Sequence, residues 1–371
     1  MAITKYRICV YAICKNEEQF VDRWMDAVSE ADLVVVLDTG STDRTAARLR
    51  ERGARVYEQE VSPWRFDAAR NLAMDYIPED MDICVSNDLD EVFEPGWRKR
   101  LEAAWQPEHT RARYWFAWSH SDDNRIVKKF SMEKIHRRHG FCWVHPVHEV
   151  LEYNGEDPDQ SVFVEGIILH HRPDRSKSRG QYLPLLELSA AENPEDDRTA
   201  FWLGREYIFK GQYDNGIRTL INHLKMPTAV WDEERSASMR FIARAYQAQG
   251  KEPEARRWLY RAVAECGHIR EPWVDLARHS YQNSNWQMAL WAVEKGLAIT
   301  ANTNSYLVEP SSWNYALDDF GAIACYRLGL YKRALAYADA ACLASPGDQR
   351  LERNRLLILA KQTEGQADEK I

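Results

Sequence analysis

The sequence predicts two domains of different classes, an α/β domain with a mainly parallel sheet followed by an all-α domain of repeated helices. Three observations lead to this prediction. Over residues 7–86, short apolar runs alternate with segments of helical spacing. From about residue 197 onward the pattern is helical throughout and repeats itself. The chain has 371 residues, which is enough for two ordinary domains with a core each.

Each element of the first domain follows from its local pattern. Apolar runs of strand length are separated by amphipathic segments, and Gly53 and Pro78 end two of the predicted helices. Because the strands are apolar on both faces, helices should cover both sides of a mainly parallel sheet. Ligands bind outside the carboxyl ends of the strands in such sheets. The predicted strands are residues 7–13, 33–37, 54–58 and 82–86.

Residues 111–197 form a mixed region. "RYWFAWSH" and "SVFVEGIILHH" read as strands, and residues 172–180 read as a basic loop. Residues 111–140 carry eight Lys/Arg against three acids. This basic segment is either a solvated face or a contact for a phosphate-bearing partner.

The second domain repeats a helical hairpin. Its aligned segments share a small residue at the same place, and successive small residues are 39, 34 and 45 positions apart. These steps bracket the 34-residue period of tetratricopeptide repeats. The sequence therefore predicts domains at residues 1–190 and 191–362 and a disordered tail at 363–371. The small residues are Gly216, Ala255, Ala289 and Ala334.

Composition and charge narrow the functional class. The chain is 45% apolar and 29% charged, and no apolar run approaches the roughly 18 residues that cross a bilayer. Seven scattered cysteines and the lack of a secretory pattern predict a cytoplasmic protein with free thiols. No CxxC pair supports a structural zinc site. A net charge of −8 disfavours a protein that coats nucleic acid.

An acidic cluster follows the fourth predicted strand, in "CVSNDLDEVFEPGW". In an extended segment Asp88 and Asp90 project to the same side. Two carboxylates 4 Å apart repel each other by about 4 kcal/mol at an effective dielectric near 20. A Mg²⁺ ion, which often binds one or two carboxylates plus substrate phosphates, would relieve this repulsion. The alternative is an acidic loop that caps the following helix. Glu91 and Glu94 complete the cluster.

Four motifs together carry a resemblance. "AICKNEE", "VVVLDTGSTDRT", "WRFDAARNLA" and "NDLDE", in this order, resemble the family 2 glycosyltransferases of the GT-A fold. The nearest subset carries tetratricopeptide repeats and includes the sublancin-type peptide S-glycosyltransferases. The resemblance covers roughly residues 5–190 through the motifs and the remainder through the repeats.

The resemblance implies binding roles for particular residues. The base and ribose of a nucleotide-sugar, a UDP-sugar by this resemblance, would lie against the turn from Ala12 to Lys15, Asp38 and Arg70. Asp88 would contact the ribose or the metal, and Asp90 would ligate Mn²⁺ or Mg²⁺ through the diphosphate. A downstream histidine completes the metal shell in many relatives, and His170 is preferred over His171. The basic loop would close over the diphosphate with Arg172, Arg175, Lys177 and Arg179.

An inverting transfer needs a general base that deprotonates the acceptor. Relatives carry a His-Glu pair near this region, and "WVHPVHEVLE" supplies His148 and Glu149. We therefore expect Glu149 to be the base with His148 beside it, and Asp122 or Asp123 are the reserves. The spacing of His145 and His148 resembles that of two zinc ligands, but no HExxH motif or cysteine partner supports a zinc site.

The predicted function is a metal-dependent, inverting glycosyltransferase that moves a sugar, by resemblance a hexose from UDP, to a peptide, protein or glycan. The repeats would position the acceptor, and a homodimer is compatible with them. In one alternative the acceptor is a hydroxylated base in DNA, and the basic segment would contact the DNA phosphates. Another is a repeat scaffold whose first domain has lost catalysis. A nucleotidyltransferase is disfavoured because no Gly-rich phosphate loop follows the first strand.

Overall fold

The computed structural model describes residues 5–174 and 180–368, with side chains up to residue 364. The chain divides into two compact units, Met1–Glu192 and Asn193–Ile371. The first unit is an α/β domain and the second is all-α, so the predicted fold classes are confirmed.

Eight strands of the first unit form one sheet in the order β3-β2-β1-β4-β7-β6-β10-β5, and β8 pairs with β9. The strands are β1 (Ile8–Cys14), β2 (Leu33–Asp38), β3 (Arg55–Glu58), β4 (Ile83–Ser86), β5 (Glu91–Phe93), β6 (Arg111–His120), β7 (Ile126–Arg137), β8 (Phe141–Val144), β9 (Val150–Tyr153) and β10 (Ser161–His171). The helices are α1 (Val21–Ala27), α2 (Thr45–Glu51), α3 (Phe66–Asp75), α4 (Trp97–Ala104) and α5 (Tyr182–Glu192).

The first four strands pair in parallel, β3 with β2, β2 with β1, and β1 with β4. Their alternate residues pack into two cores, one on each face of the sheet. On β1, for example, Val10 belongs to the core that contains Trp24, whereas Tyr11 belongs to the core that contains Met74. Burial on both faces is the reason that these strands read as continuous apolar runs.

The rest of the sheet is mixed rather than parallel. β6 and β7 form an antiparallel hairpin, and β7 also runs antiparallel to β4. β10 lies parallel to β6, and the short β5 runs antiparallel to β10. This last pairing brings the acidic cluster beside the histidine pair, with Glu91 opposite His171 in register.

The second unit consists of four helical hairpins and a final helix, and its sequential helices contact one another. The hairpins are α6 (Asp197–Phe209) with α7 (Tyr213–His223), α8 (Asp232–Ala248) with α9 (Glu252–Glu265), α10 (Glu271–Gln282) with α11 (Trp286–Leu297), and α12 (Ala316–Arg327) with α13 (Tyr331–Ala344). The last helix is α14 (Gln349–Asp368).

The small residues of the repeats lie where the helices of a hairpin approach. A Cβ on Gly216 would be 2.5 Å from Ile208 Cγ1 and 2.9 Å from the Gly204 carbonyl oxygen. Ala255, Ala289 and Ala334 are fully buried at the corresponding positions. The repeat prediction is confirmed at each of these places.

The last helix extends past the predicted domain boundary at residue 362. Helix α14 continues to Asp368, within the stretch that the sequence predicts to be a tail. Gln, Glu and Ala in "QTEGQAD" are good helix formers, and a preceding helix supplies the nucleus. Residues 369–371 lie outside the described residues.

No helix in the described ranges has the length and apolarity that a membrane crossing requires. All seven cysteines are free thiols.

Candidate active site

The carboxyl ends of β1, β2 and β4 meet at one edge of the sheet. The β1 loop and the β2 loop are joined there by side-chain hydrogen bonds. Asn16 Oδ1 accepts from the Thr42 amide at 2.8 Å, and Ser41 Oγ accepts from the Asn16 amide at 2.9 Å. Thr45 Oγ1 accepts from the Glu17 amide at 2.8 Å. The two loops therefore form one fixed rim at the edge where a ligand binds in α/β sheets.

Asp38 shapes this rim. Its Oδ1 accepts from the amides of Gly40 at 2.9 Å and Ser41 at 2.6 Å, and the side chain is buried. Gly40 has a φ of 110°, a backbone conformation that residues with a side chain rarely adopt. Lys15 Nζ lies 3.9 Å from the place that a Cβ on Gly40 would occupy. Asp38 and Lys15 thus share this edge, as predicted.

Ala12 lies within β1 rather than in the exposed turn. It lies inside β1, pairs in register with Val36 and is fully buried in the core. The turn was expected to begin at Ala12, but β1 continues to Cys14 because the residues up to that point are apolar. The exposed turn therefore begins only after Cys14.

Arg70 is the central cation of the site. Its two terminal nitrogens donate to the two oxygens of Asp88 at 2.8 and 3.0 Å. Its Nε donates to Glu149 Oε1 at 2.6 Å, and the guanidinium lies 5.0 Å from the ring centroid of Trp143. The planar guanidinium is suited to this bidentate contact. One buried arginine therefore brings together Asp88 and Glu149, which are 61 positions apart in the sequence.

Helix α3 holds Arg70 in place through its neighbour Asn71. The side-chain Nδ2 of Asn71 donates to the Trp143 carbonyl at 2.8 Å, and its Oδ1 accepts from the Trp143 backbone amide at 2.7 Å. These two bonds fix β8 against α3, while the Phe66 amide donates to the Pro146 carbonyl at 3.0 Å. The motif "FDAARN" thus positions both Arg70 and the segment that carries Glu149.

The acidic cluster is neutralised by protein cations rather than left to repel itself. Lys134 of β7 donates to Asp88 Oδ2 at 3.2 Å and to Glu91 Oε1 at 2.9 Å. Glu91 is buried, and its Oε2 accepts from the Asp88 amide at 3.0 Å. The charge of Asp88 is therefore offset by Arg70 and Lys134, which reduces the repulsion that was expected between Asp88 and Asp90.

These contacts set opposite pKa directions for the two buried acids. Burial alone would raise the pKa of Asp88, but the charges of Arg70 and Lys134 outweigh it and hold that pKa well below its usual range. Burial raises the pKa of Glu91, and Lys134 offsets this in part. The ionised form of Asp88 is thus strongly favoured.

Asp90 has a different partner. His171 Nε2 lies 3.4 Å from Asp90 Oδ2, and the Arg172 amide donates to the Asp90 carbonyl at 2.7 Å. The ring of His171 stacks on Trp118 at 4.6 Å. Asp90 is about one-quarter exposed, so its carboxylate remains accessible to a ligand.

His170, the expected metal ligand, points elsewhere. Its Nε2 lies 3.0 Å from Glu94 Oε1 and its Nδ1 lies 2.9 Å from His120 Nε2. Neighbouring residues on a strand face opposite sides, so β10 can present only one member of the pair to Asp90. His171 is the member of the pair that lies beside Asp90.

Asp90 and His171 place a carboxylate and an imidazole side by side, whereas both oxygens of Asp88 already accept from Arg70 and Lys134. Carboxylate and imidazole are suitable ligands for Mn²⁺, and Mg²⁺ tolerates few protein ligands when phosphates supply the rest. Within the described residues, the acids and histidines of this edge form no group of three ligand atoms within 4.8 Å of one another. A cation here would depend on oxygens from the substrate.

The start of the basic loop lies beside Asp90. Arg172 donates to Asn124 of the β6–β7 hairpin, and Gln19 donates to Asp174 at 2.9 Å. Arg175, Lys177 and Arg179 lie outside the described residues.

The candidate bases occupy different environments. Glu149 lies in the site through its contact with Arg70. The backbone of His148 has a φ of 53°, so the chain turns just before Glu149. The ring centroid of His148 lies 5.5 Å from that of Tyr182. Asp122 and Asp123 are exposed at the tip of the β6–β7 hairpin, where Asp123 pairs with Arg125. Of these candidates, Glu149 is the one seen to pair with Arg70.

Sequence reasoning missed the roles of Lys134, Glu91 and His171. Lys134 was counted within the basic segment, although a lysine between the apolar residues of "FSMEKIHR" is a signal for a buried cation. Its actual partners come from the acidic turn after β4, and no local pattern reports that pairing.

The basic segment is largely neutralised. Arg111 pairs with Glu133 and Asp159, and Arg137 pairs with Asp157. Lys134 is buried in the site. The interpretation as a solvated, paired face is favoured over a nucleic-acid contact.

Comparison with protein families gives one match to the N-terminal unit. The model described as "Glycosyl transferase family 2" matches residues 9–148. The matched range runs from the second residue of β1 to just after β8 and contains Asp38, Arg70, Asp88 and Asp90.

A curated relative covers more of the chain. A TPR repeat-containing protein of Synechococcus elongatus is 24% identical over 307 residues, which are 76% of this chain and 72% of that protein. Among solved structures, the MamA protein is 16% identical, with a TM-score of 0.36 over 45% of this chain and 82% of its own. YrrB, a TPR protein, is 12% identical, with a TM-score of 0.39 over 48% of this chain and 84% of its own.

Proposed function

We propose that this chain, whose N-terminal unit contains a family 2 glycosyltransferase domain at residues 9–148, is a metal-dependent, inverting glycosyltransferase. It would move a sugar, a hexose from UDP by preference, to a peptide or protein. The observation that carries the proposal is the assembly at one sheet edge of the Asp38 turn, the Arg70–Asp88 pair and Asp90. All of these lie within the matched residues.

The residues of this chain would divide the work. The joined rim at Asp38 and Lys15 would take the base and ribose of the donor. Arg70 would hold Glu149 in a fixed orientation, and Glu149 would accept the proton of the attacking acceptor group. Arg172 would lie near the diphosphate, because its amide already contacts the carbonyl of Asp90. Preorganised charges of this kind need no reorientation during reaction.

Asp90 and His171 would hold the divalent cation together with diphosphate oxygens. Such a cation, when bound, offsets the charge that develops on the leaving diphosphate. Asp88 would not be its ligand, because its two oxygens already accept from Arg70 and Lys134.

Donor hydrolysis gives a direct test. The protein is incubated with a panel of nucleotide-sugars and Mn²⁺ or Mg²⁺, and released nucleotide is measured. We expect slow hydrolysis of one donor that Asp90→Ala abolishes. Asp75→Ala, an exposed carboxylate at the end of α3, is the matched control and should leave the rate unchanged. Hydrolysis of no donor, or equal hydrolysis by Asp90→Ala, would contradict the proposal and return the scaffold alternative.

The choice between the two histidines is testable separately. His171→Ala should raise the Mn²⁺ concentration for half-maximal hydrolysis by at least about tenfold, since one ligand is lost. His170→Ala should leave this concentration unchanged, because His170 contacts Glu94 and His120. The opposite order of the two effects would assign the metal to His170.

The acceptor is proposed to be a peptide or protein, with a glycan as the alternative. Helical repeats supply extended surfaces for peptides. A DNA acceptor has lost its support, because the basic segment is paired with acids. Mass spectrometry of peptides, glycans and DNA from cells with and without the protein would identify the acceptor. Free cysteines suit the cytoplasm as the proposed compartment.

A further inference from the structure

Three metal-ligating side chains meet within the second unit. Asp197 is the first residue of α6, His223 is the last residue of α7, and Glu234 lies in the first turn of α8. Each offers one ligand atom, and the three atoms lie within 4.8 Å of one another. A helical hairpin returns the end of its second helix to the start of its first, so residues far apart in the chain become neighbours. The group therefore joins the first hairpin of the repeats to the second.

The imidazole of His223 has a buried nitrogen without a hydrogen-bond partner. His223 is 0% exposed, and none of the described residues forms a hydrogen bond with its Nε2. Glu234 Oε1 lies 3.4 Å from this nitrogen, which is within ion-pair distance but lacks the geometry of a hydrogen bond. Buried polar atoms are nearly always satisfied, because leaving one unpaired costs free energy. This nitrogen therefore points to a ligand at the centre of the group.

Two neighbours fix the orientation of the imidazole. Nδ1 of His223 lies 3.0 Å from Ser238 Oγ, and the ring of Phe201 lies 5.9 Å away, centroid to centroid. In the tautomer that carries its proton on Nδ1, the ring donates to Ser238 and keeps a lone pair on Nε2. Histidines that ligate a metal are usually held in this way through their other ring nitrogen.

The carboxylate of Glu234 is held in a similar manner. It is buried, and its Oε2 accepts from the Tyr306 hydroxyl, so Oε1 is the oxygen that faces His223. Two ligand atoms that each lie about 2.0–2.1 Å from one Zn²⁺ ion, at a tetrahedral angle, are about 3.3–3.4 Å apart. The 3.4 Å between Nε2 and Oε1 agrees with this separation.

Charge and burial together favour a cation over a simple cluster of acids. Acidic residues in the first turn of a helix are common by themselves, because they complement the helix dipole. They usually remain exposed to water, whereas Glu234 is buried beside His223. A protonated His223 would offset only one of the two carboxylate charges, while a divalent cation balances both and pairs with Nε2. One imidazole with two carboxylates suits Zn²⁺ or a similar transition-metal ion, whereas Ca²⁺ and Mg²⁺ prefer oxygen ligands alone.

We propose that Asp197, His223 and Glu234 bind one divalent transition-metal ion, for which Zn²⁺ is best suited, and that this ion fastens the α6–α7 hairpin to α8. A water molecule would take the fourth position from the side of Asp197, the least buried of the three ligands. The proposal does not rest on transferase activity, because its residues belong to the second unit and lie outside residues 9–148.

The test measures Zn²⁺ binding to the full chain after its metal has been removed. Competition with a chromophoric chelator gives the affinity and the number of ions bound. Asp197→Asn and His223→Gln should each weaken one Zn²⁺ site at least about 100-fold, and excess Mg²⁺ should not displace the ion from the intact chain. Tyr306→Phe should weaken the same site about tenfold, because it removes the hydrogen bond that orients Glu234.

Two control variants separate this site from other places that could hold Zn²⁺. His268 is exposed and forms, with Asp232 and Cys266, the second group of three ligands within the described ranges. His268→Ala should leave the affinity of the proposed site unchanged. Asp90→Ala, which removes a ligand of the cation proposed for the transferase, should also leave it unchanged. Loss of the site in either control, with normal binding by Asp197→Asn, would assign the ion elsewhere and overturn the proposal.

Thermal unfolding tests whether the ion fastens the helices. Zn²⁺ should raise the melting temperature of the intact chain, because an ion that binds only the folded state stabilises it. Asp197→Asn should show no such rise, and its circular dichroism spectrum without metal should match that of the intact chain. If the folded intact chain binds no Zn²⁺, or if Asp197→Asn binds it equally, the proposal is wrong and His223 is a buried histidine paired with Glu234.

Discussion

Arg70 shows how one side chain defines the candidate site. It is buried, yet it makes charged contacts with Asp88 and Glu149 and lies over the ring of Trp143. Removing one member of a buried ion pair leaves its partner uncompensated, which costs about 3–5 kcal/mol. The same residue therefore affects both the stability of the first unit and the orientation of the proposed base.

We expect Arg70→Met to lower the free energy of unfolding of the first unit by about 3–5 kcal/mol, because Glu149 loses its partner and Asp88 keeps only Lys134. Urea unfolding followed by tryptophan fluorescence measures this change. Arg50→Met is the control, since Arg50 pairs with Glu58 at the surface, and its effect should be small. A similar, small effect of both substitutions would show that Arg70 does not organise the site.

At the scale of elements, β7 performs two tasks. Lys134 reaches the acidic turn, while two residues later His136 is fully buried and its Nε2 lies 3.0 Å from the Tyr11 hydroxyl. Burial is the main cause that lowers the pKa of His136 to about 3; the charges of Arg138 and Arg111 act in the same direction, and a hydrogen bond to the Arg137 carbonyl opposes them. His136 is therefore neutral in the folded protein at ordinary pH.

This burial predicts an acid-dependent loss of stability. Below about pH 6.5, the unfolded chain binds a proton at His136 that the folded chain does not, so stability falls as the pH decreases towards 3. The contribution is about 1.4 kcal/mol per pH unit in this window. His136→Gln should flatten the stability curve between pH 6.5 and 5, as measured by urea unfolding. His139→Gln, at an exposed position, should leave the slope unchanged, and an unchanged slope in His136→Gln would contradict the prediction.

The α6–α7 hairpin illustrates a packing constraint. In an open helix Gly216→Ala would be stabilising, by about 1 kcal/mol. Here the added Cβ would meet Ile208 and the Gly204 carbonyl within 3 Å, so we expect a net destabilisation of about 1–3 kcal/mol. Thermal unfolding followed by circular dichroism tests this. Asp214→Ala, exposed on the same helix, is the control. A raised melting temperature in Gly216→Ala would show that the hairpin can open.

At the scale of the whole molecule, each unit has its own core. The second unit has one core that includes Phe201 and Leu317 and another that includes Ala334 and Ile358. We therefore expect the fragment Asn193–Ile371 to unfold cooperatively and to give a helical circular dichroism spectrum by itself. A gradual, non-cooperative transition of the fragment would mean that the units depend on each other for folding.

The sequence predicted the two fold classes, the parallel strands β1 to β4 and the helical repeats, because these depend on local periodicity. It also predicted that Lys15, Asp38 and Asp88 lie at one sheet edge, because parallel strands end together. Ala12 was predicted to begin the exposed turn and lies inside β1, and the residues predicted as a tail from 363 are helical up to Asp368. The sequence could not decide between His170 and His171, because it does not show which face of β10 meets the acidic turn.

Periodicity and motif order by themselves thus determined the two fold classes and the sheet edge at which Lys15, Asp38 and Asp88 lie. Only the tertiary structure decided which charges meet. Lys134 and Arg70 pair with Asp88, His171 lies beside Asp90, and the segment before α12 places Glu309 between Arg240 and Arg244. The physical reason is that ion pairs depend on distances between residues far apart in the chain, and strand register and hairpin insertion set those distances.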